Sequence, residues 1–287
     1  MTEPSILPAS FAQKSLWFLD QLDPGSSAYN LPRAIRIVGR FDIHALQKTL
    51  GAIVGRHESL RTTFEVFDGT PVQVVHLTGR VEIPVVTLEG VAEEEREREA
   101  IAIASEEGQH PFDLSTGPLL RTKIVRLSPE EHVLILTLHH IVTDGWSMSV
   151  LFDEICEFYE AYSSGRVPKV AELSIQYGDF ACWEQERVNS DVLGREVEFW
   201  TRALDGIPAL LDLPADRPRP PIQRYSGHSR SVLLGAELSE QIRALSRMTR
   251  VTPFMTLLAA FETLLWRYTG ADVFAVGTPV AGRSEVE

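Results

Sequence analysis

Hydrophobic and polar residues recur with two different periods along the chain, which predicts a fold that mixes helices and strands. Apolar residues at helical spacing predict a helix over 42–56, with its apolar face toward a core. A period of two with β-branched residues predicts strands at 62–67 and 71–76. The Asp68-Gly69 pair between them is typical of a type I′ hairpin turn.

One segment departs from this alternation and is apolar at nearly every position. The run Val133–Leu138 predicts a strand in the middle of a sheet that is covered on both faces. This strand is predicted to pair with residues 119–127 and to form a second hairpin with them. Directly after it come His139 and His140, and a helix is predicted to begin near Trp146.

The organisation predicted is an α/β protein of two lobes. The segment 163–168 has the composition of a linker, so we place an N-terminal lobe at 1–165 and a partial C-terminal lobe at 166–287. The features expected in the second lobe are helices over 175–188, over 191–204 and from 252 onward, short strands at 231–234 and 273–276, and an extended crossover over 205–228.

Composition narrows the classes of partner. The formal net charge of −13 argues against nucleic acid and against an anionic membrane surface. No stretch approaches the roughly 18 apolar residues that a membrane span needs. Two cysteines without a CxxC pair, and an N-terminus without a secretory pattern, favour a cytoplasmic protein.

The candidate chemistry lies in the loop after the apolar strand. Successive residues leaving a strand point in opposite directions, so one of His139 and His140 is expected to face a cleft and the other the protein. Asp144 lies at the turn, and Gly145 is expected to allow a tight backbone path that brings it beneath the histidines. A neutral imidazole there is suited to accept the proton of an attacking amine, or to align that amine.

Structural alternatives remain open for each of these residues. His139 is also interpretable as a core histidine, and His140 as a buried bystander. Asp144 is also a candidate helix cap or a buried ion-pair partner. Adjacent histidines followed by an acid resemble a metal-ligand set, but the HExxH spacing is absent, so we expect no metal.

The segment His139–Ser147 resembles the HHxxxDG core motif of the condensation domains of nonribosomal peptide synthetases. Four further segments resemble that family's other motifs in the family's order, and they lie at 10–17, 56–64, 177–183 and 277–283. Five ordered motifs are far more specific than any one of them.

The resemblance implies a chloramphenicol-acetyltransferase-like fold, a two-lobed V with a tunnel. It implies His140 as the catalytic residue, supported in its loop by His139, Asp144, Gly145, Trp146 and Ser147. Arg283 resembles the arginine that pairs with the motif aspartate, and Arg61 is a second candidate. A buried aspartate needs such a cation.

The resemblance also implies an activity and partners. The chain is expected to form an amide between a donor thioester and an acceptor amine, in antibiotic or secondary-metabolite biosynthesis. Both substrates would be carried on the 4′-phosphopantetheine of upstream and downstream peptidyl carrier domains, beside an adenylation domain. The chain itself is expected to bind no cofactor.

Subtype and completeness are further expectations. Trp146-Ser147 after the motif favours condensation over epimerisation, and the first motif resembles the subtype that joins an L-donor to an L-acceptor. The sequence stops just after the fifth motif, so we expect a truncated second lobe. An ester-forming relative, a catalytically idle carrier-docking fragment and a metal-binding protein are the alternatives.

Overall fold

The computed structural model describes residues 3–188, 191–218 and 230–280. These residues form two compact units, and the division falls between Leu193 and Gly194. It lies later than the lobe boundary placed at 165, because the segment after the linker packs on the first unit. There the Gln176 side chain accepts a hydrogen bond from the Glu58 N–H and donates one to the Arg56 carbonyl. The assignment of lobes stays a prediction.

The described residues of the first unit contain seven strands: β1 Ser5–Pro8, β2 Asn30–Val38, β3 Thr62–Phe67, β4 Thr70–Val75, β5 Val85–Thr87, β6 Leu120–Ser128 and β7 Glu131–His139. The described α-helices are α1 Phe11–Leu22, α2 Ile43–Arg56, α3 Glu93–Gln109, α4 Gly145–Ser163, α5 Tyr177–Val188, α6 Asp191–Ala203, α7 Ala236–Thr249 and α8 Pro253–Thr269. Short 3₁₀ turns cover Glu58–Arg61 and His140–Val142.

The larger sheet has the strand order β2-β7-β6-β5, with β5 parallel to β6 and the other pairs antiparallel. The prediction of a central strand with two covered faces is confirmed for β7. Leu134, Leu136 and Leu138 join the core between the sheet and helices α2 and α4. Ile135 faces the opposite side, where it packs in a cluster with Ala100 of α3.

The smaller sheet is antiparallel in the order β1-β4-β3. The hairpin predicted at Asp68-Gly69 is confirmed, since both residues have the positive φ angles, 48° and 75°, that a type I′ turn requires. The sequence pattern did not predict β1, which is only four residues long and gains its stability by pairing with β4.

The second unit, as far as it is described, contains helices and no strand. The strands predicted at 231–234 and 273–276 are therefore wrong, because both segments are described and neither is a strand. A strand needs a hydrogen-bonded neighbour, and the described part of this unit offers none. Val232 and Leu233 are accordingly exposed.

Helix α8 begins where the sequence predicts, with Thr252 as N-cap and Pro253 in the first turn. Its apolar stripe is largely uncovered, and Phe254, Leu257 and Phe261 are exposed. Among the described helices, none is both long enough and apolar enough to cross a lipid bilayer.

Candidate active site

The candidate site is the connection between the central strand β7 and helix α4. The strand ends at His139, a single 3₁₀ turn follows, and α4 begins at Gly145. The backbone N–H of His140 donates to the carbonyl oxygen of Tyr29 at 2.9 Å. This bond continues the pairing of β7 with β2, so the backbone of His140 is held by the sheet itself.

His139 is a buried imidazole, with only 3% of the residue exposed. The rings of Tyr29 and Phe112 lie near it, with centroid separations of 6.4 and 6.0 Å. Burial, together with the neighbouring His140, lowers the pKa of His139 to about 4. The ring is therefore neutral at pH 7.

The tautomer of His139 follows from its hydrogen bond. Its Nδ1 atom accepts the backbone N–H of Ile141 at 3.1 Å, so the single ring proton is on Nε2. This bond caps the start of the 3₁₀ turn His140–Val142. His139 thus shapes the loop and contributes no charge to it.

His140 has the opposite environment, since its residue is exposed. Adjacent histidines at the strand end therefore lie on opposite sides, one packed inside the unit and one open to solvent. An exposed imidazole on a fixed backbone is open to an incoming substrate, with which it could exchange a proton.

Asp144 caps helix α4. Its Oδ1 atom accepts the backbone N–H of Ser147 at 2.7 Å, and its backbone is extended, as an N-cap requires. Trp146, in the first turn, exposes 59% of its surface. The loop thus presents the exposed residues His140, Gly145 and Trp146 close together in the sequence.

Gly145 does not have the role expected from the sequence. Its φ is not positive, and a Cβ atom built on it would meet no described atom within 4 Å. Its backbone is already helical, so the turn does not require glycine. What the glycine provides is open space beside the exposed face of the loop.

The two arginines expected as partners of Asp144 have different outcomes. The guanidinium of Arg61 forms its ion pair with Glu58 at 3.2 Å and donates to the carbonyl of His76. Arg61 is the last residue of the 3₁₀ turn Glu58–Arg61, and the ion pairs found among the described residues include none between Arg61 and Asp144. Arg283 lies outside the described residues, and its pairing stays a prediction.

Several supporting residues were not predicted from the sequence. Phe112, against His139, is itself covered by the Arg121 guanidinium, whose central carbon lies 3.7 Å from the ring centroid. Arg121 is fixed by Glu107 at 2.7 Å. Gln13, in α1, donates to the carbonyl of Ile141 in the loop. These contacts join residues far apart in sequence, and no local pattern signals them.

No group of three or more His, Cys, Asp or Glu side chains within residues 3–188, 191–218 and 230–280 is arranged to hold a metal ion.

Comparison with known proteins places this geometry in a family. The family model described as Condensation domain matches residues 4–287. The chain belongs to the condensation-domain family. One of the linear gramicidin synthase proteins of Brevibacillus parabrevis is 46% identical over 281 residues, which are 98% of this chain and 4% of that protein.

Two solved structures extend the likeness to the fold. The X-domain from teicoplanin biosynthesis is 32% identical with a TM-score of 0.80, covering 93% of this chain and 58% of that one. The four-domain nonribosomal peptide synthetase AB3403, bound to AMP and glycine, is 23% identical with a TM-score of 0.85. That match covers 99% of this condensation domain and 21% of AB3403. This condensation domain thus spans a small part of the curated synthetase and about three-fifths of the X-domain.

The fold class predicted from sequence is confirmed, since structural neighbours are condensation domains and the first unit combines sheets with flanking helices. The recognition of the family from five motifs is likewise confirmed.

Proposed function

We propose that this chain catalyses peptide-bond formation between a donor acyl thioester and the amine of an acceptor aminoacyl thioester. The observation that carries the proposal is the pair His139-His140. His139 is neutral and buried, and it accepts the backbone N–H of Ile141. His140 is exposed, and its backbone N–H is bound to the carbonyl of Tyr29 beside the central sheet.

In the proposed reaction the acceptor amine attacks the carbonyl carbon of the donor thioester. A carbon–nitrogen bond forms, the carbon–sulfur bond breaks, and the amine loses a proton while the donor thiol gains one. His140 is the residue we assign to align that amine or accept its proton, because it is the exposed histidine of the loop.

We further propose that donor and acceptor are both carried on 4′-phosphopantetheine arms of an upstream and a downstream peptidyl carrier domain, within a synthetase that also contains an adenylation domain. The arm is part of the substrates, and the condensation domain holds no cofactor of its own. The proposed setting is the cytoplasm, and the proposed subtype joins an L-donor to an L-acceptor. Trp146-Ser147 after the motif supports condensation over epimerisation.

The test uses the full-length protein in its native reading frame. N-acyl amino acid thioesters of N-acetylcysteamine serve as donors, and aminoacyl or hydroxyacyl thioesters of the same thiol serve as acceptors. We expect amide products, and a loss of roughly 10²- to 10⁴-fold in turnover for His140→Ala. His44→Ala is the matched control, since His44 is an exposed histidine on α2.

The alternatives give different results in the same assay. An ester-forming relative would prefer the hydroxyacyl acceptors. A catalytically idle carrier-docking domain would give no product with any acceptor, and His140→Ala would leave its affinity for carrier domains unchanged. Either result would reject the proposed activity.

A further inference from the structure

A buried glutamine in the first helix touches the candidate catalytic loop. Gln13 lies in α1, 128 positions before Ile141, and only 1% of it is exposed. Its Nε2 atom donates to the carbonyl oxygen of Ile141 at 3.4 Å. Ile141 directly follows His140 and forms the middle of the 3₁₀ turn.

Both the oxygen and the nitrogen of the Gln13 amide form hydrogen bonds, which fixes the orientation of the amide. Its Oε1 atom accepts the backbone N–H of Ser10 at 2.9 Å, as part of the capping box of α1. Its Nε2 atom donates both to Ile141 and to Oε1 of Gln73 at 3.0 Å. Rotating the amide by half a turn would place the oxygen against two acceptors and the nitrogen against a donor.

A second buried glutamine accepts a hydrogen bond from the first. Gln73 of β4 is also 1% exposed, and its own Nε2 atom donates to the carbonyl of Pro8 at 2.8 Å. Ser10, which holds the other end of Gln13, has its hydroxyl 3.0 Å from the hydroxyl of Tyr177 in α5. These hydrogen bonds therefore connect strands β1 and β4 of the smaller sheet with the start of α1 and with the 3₁₀ turn His140–Val142.

We propose that Gln13 is a positioning residue for His140, a role that rests on the proposed function of that histidine. Three hydrogen bonds hold the backbone of His140 and Ile141. Tyr29 holds its N–H, His139 holds the next N–H, and Gln13 holds the carbonyl of Ile141. The hydrogen bonds of Gln13 end on the backbone and on Gln73, so it acts on the His140 ring through the loop and takes no part in proton transfer.

Removal of Gln13 should change the conformation of the loop. The Ile141 carbonyl loses a buried donor, and a buried polar group without a partner is unfavourable. The free energy is then lowered if the 3₁₀ turn rearranges so that the Ile141 carbonyl reaches solvent. A displacement of about 1 Å in a catalytic group is enough to lower turnover on the order of a hundredfold.

The chain supplies a matched control. Gln13→Met and Gln73→Met remove the same amide from two sites of equal burial, and only the first removes the bond to Ile141. Both variants should lower the unfolding temperature to a similar degree. Assays therefore run well below either unfolding temperature, on the full-length protein with the same N-acetylcysteamine thioesters.

We expect Gln13→Met to lower kcat about ten- to a hundredfold with a smaller change in KM, and Gln73→Met to leave kcat within about twofold. Nitrogen-15 NMR of histidine-labelled protein gives a readout independent of activity. The His140 ring resonances, assigned with His140→Ala, should shift or broaden in Gln13→Met and stay in place in Gln73→Met.

Equal effects of both variants, on kcat and on the His140 resonances, would show a merely structural glutamine and overturn the proposal. So would the absence of any effect of Gln13→Met. If Gln13→Met does not fold, the pair Gln13→Asn and Gln73→Asn repeats the comparison by shortening each amide by one methylene. An unchanged His140→Ala turnover rejects the proposed function instead, while the NMR comparison still tests the positioning.

Discussion

The Nδ1 atom of His139 accepts the backbone N–H of Ile141 at 3.1 Å, so the turn that presents His140 depends on a neutral neighbour. Burial, with a contribution from His140, lowers the pKa of His139 to about 4 from its ordinary value of 6.5. Protonation would place a proton on the very atom that accepts the hydrogen bond, and a positive charge in an apolar surrounding.

This relationship predicts a pH dependence of stability. Between pH 6.5 and about 4 the unfolded chain binds a proton at His139 that the folded chain does not, so stability falls as the pH falls through this window. The contribution present above pH 6.5 and lost by pH 4 is about 3 kcal/mol. Chemical denaturation at about pH 7.5, 5.5 and 4.5 measures it.

His139→Asn is the control for that pH dependence. Its amide oxygen can take the place of Nδ1 as acceptor for the Ile141 N–H, and it does not titrate. The variant should show a shallower loss of stability toward low pH than the wild type. Parallel curves for the two proteins would contradict the assignment, because other titrating groups are common to both.

A second prediction concerns the buried carboxylate of Glu154 in α4. Its two oxygens bind the Arg56 Nε atom at 2.9 Å and the His57 Nε2 atom at 2.6 Å, which joins α4 to the end of α2. Glu154→Gln removes the negative charge. It also replaces one carboxylate oxygen, an acceptor, by an amide NH₂ group, which is a donor and would face Arg56 or His57. We expect a loss of about 3 kcal/mol in the free energy of unfolding, measured by denaturant titration.

The matched control is Glu157→Gln, one turn further along the same helix. Glu157 is exposed, so the same change of charge should alter stability by less than about 0.5 kcal/mol. If the two variants were equally stable, the ion pair between the helices would contribute nothing measurable.

A third prediction follows from the helical backbone of Gly145. Because no described atom lies within 4 Å of a Cβ built there, Gly145→Ala should leave the free energy of unfolding unchanged or raise it by up to about 1 kcal/mol. Turnover should fall if the open space beside the loop receives substrate. A clear loss of stability, measured by thermal unfolding, would show that the loop needs glycine for its backbone after all.

These cases show what a sequence can and cannot supply. The strand, the loop and the helix around His140 follow from local periodicity and from the N-cap chemistry of Asp144, so they were predictable. The contacts of Gln13 and Arg121 depend on how distant segments meet, which no local pattern encodes. The prediction of a strand at 231–234 was wrong for a related reason. A strand needs a hydrogen-bonded neighbouring strand, whereas β-propensity is a property of one segment alone.

The last prediction concerns the charge of Asp144. The family resemblance pairs it with Arg283, while the structure shows the carboxylate capping α4 through the Ser147 N–H at 2.7 Å. Asp144→Asn preserves the capping oxygen and removes the charge, so it separates the two roles. In a double-mutant cycle with Arg283→Gln we expect a coupling of about 1 to 3 kcal/mol in the free energy of unfolding.

Arg61→Gln supplies the comparison for this cycle. Arg61 was the other candidate partner, and its ion pair is formed with Glu58 at 3.2 Å. Its cycle with Asp144→Asn should therefore give a coupling near zero, although Arg61→Gln alone lowers stability through its own lost bonds. A larger coupling to Arg61 than to Arg283 would reverse the assignment. It would mean that the charge of Asp144 is balanced by Arg61, a residue of the motif at 56–64.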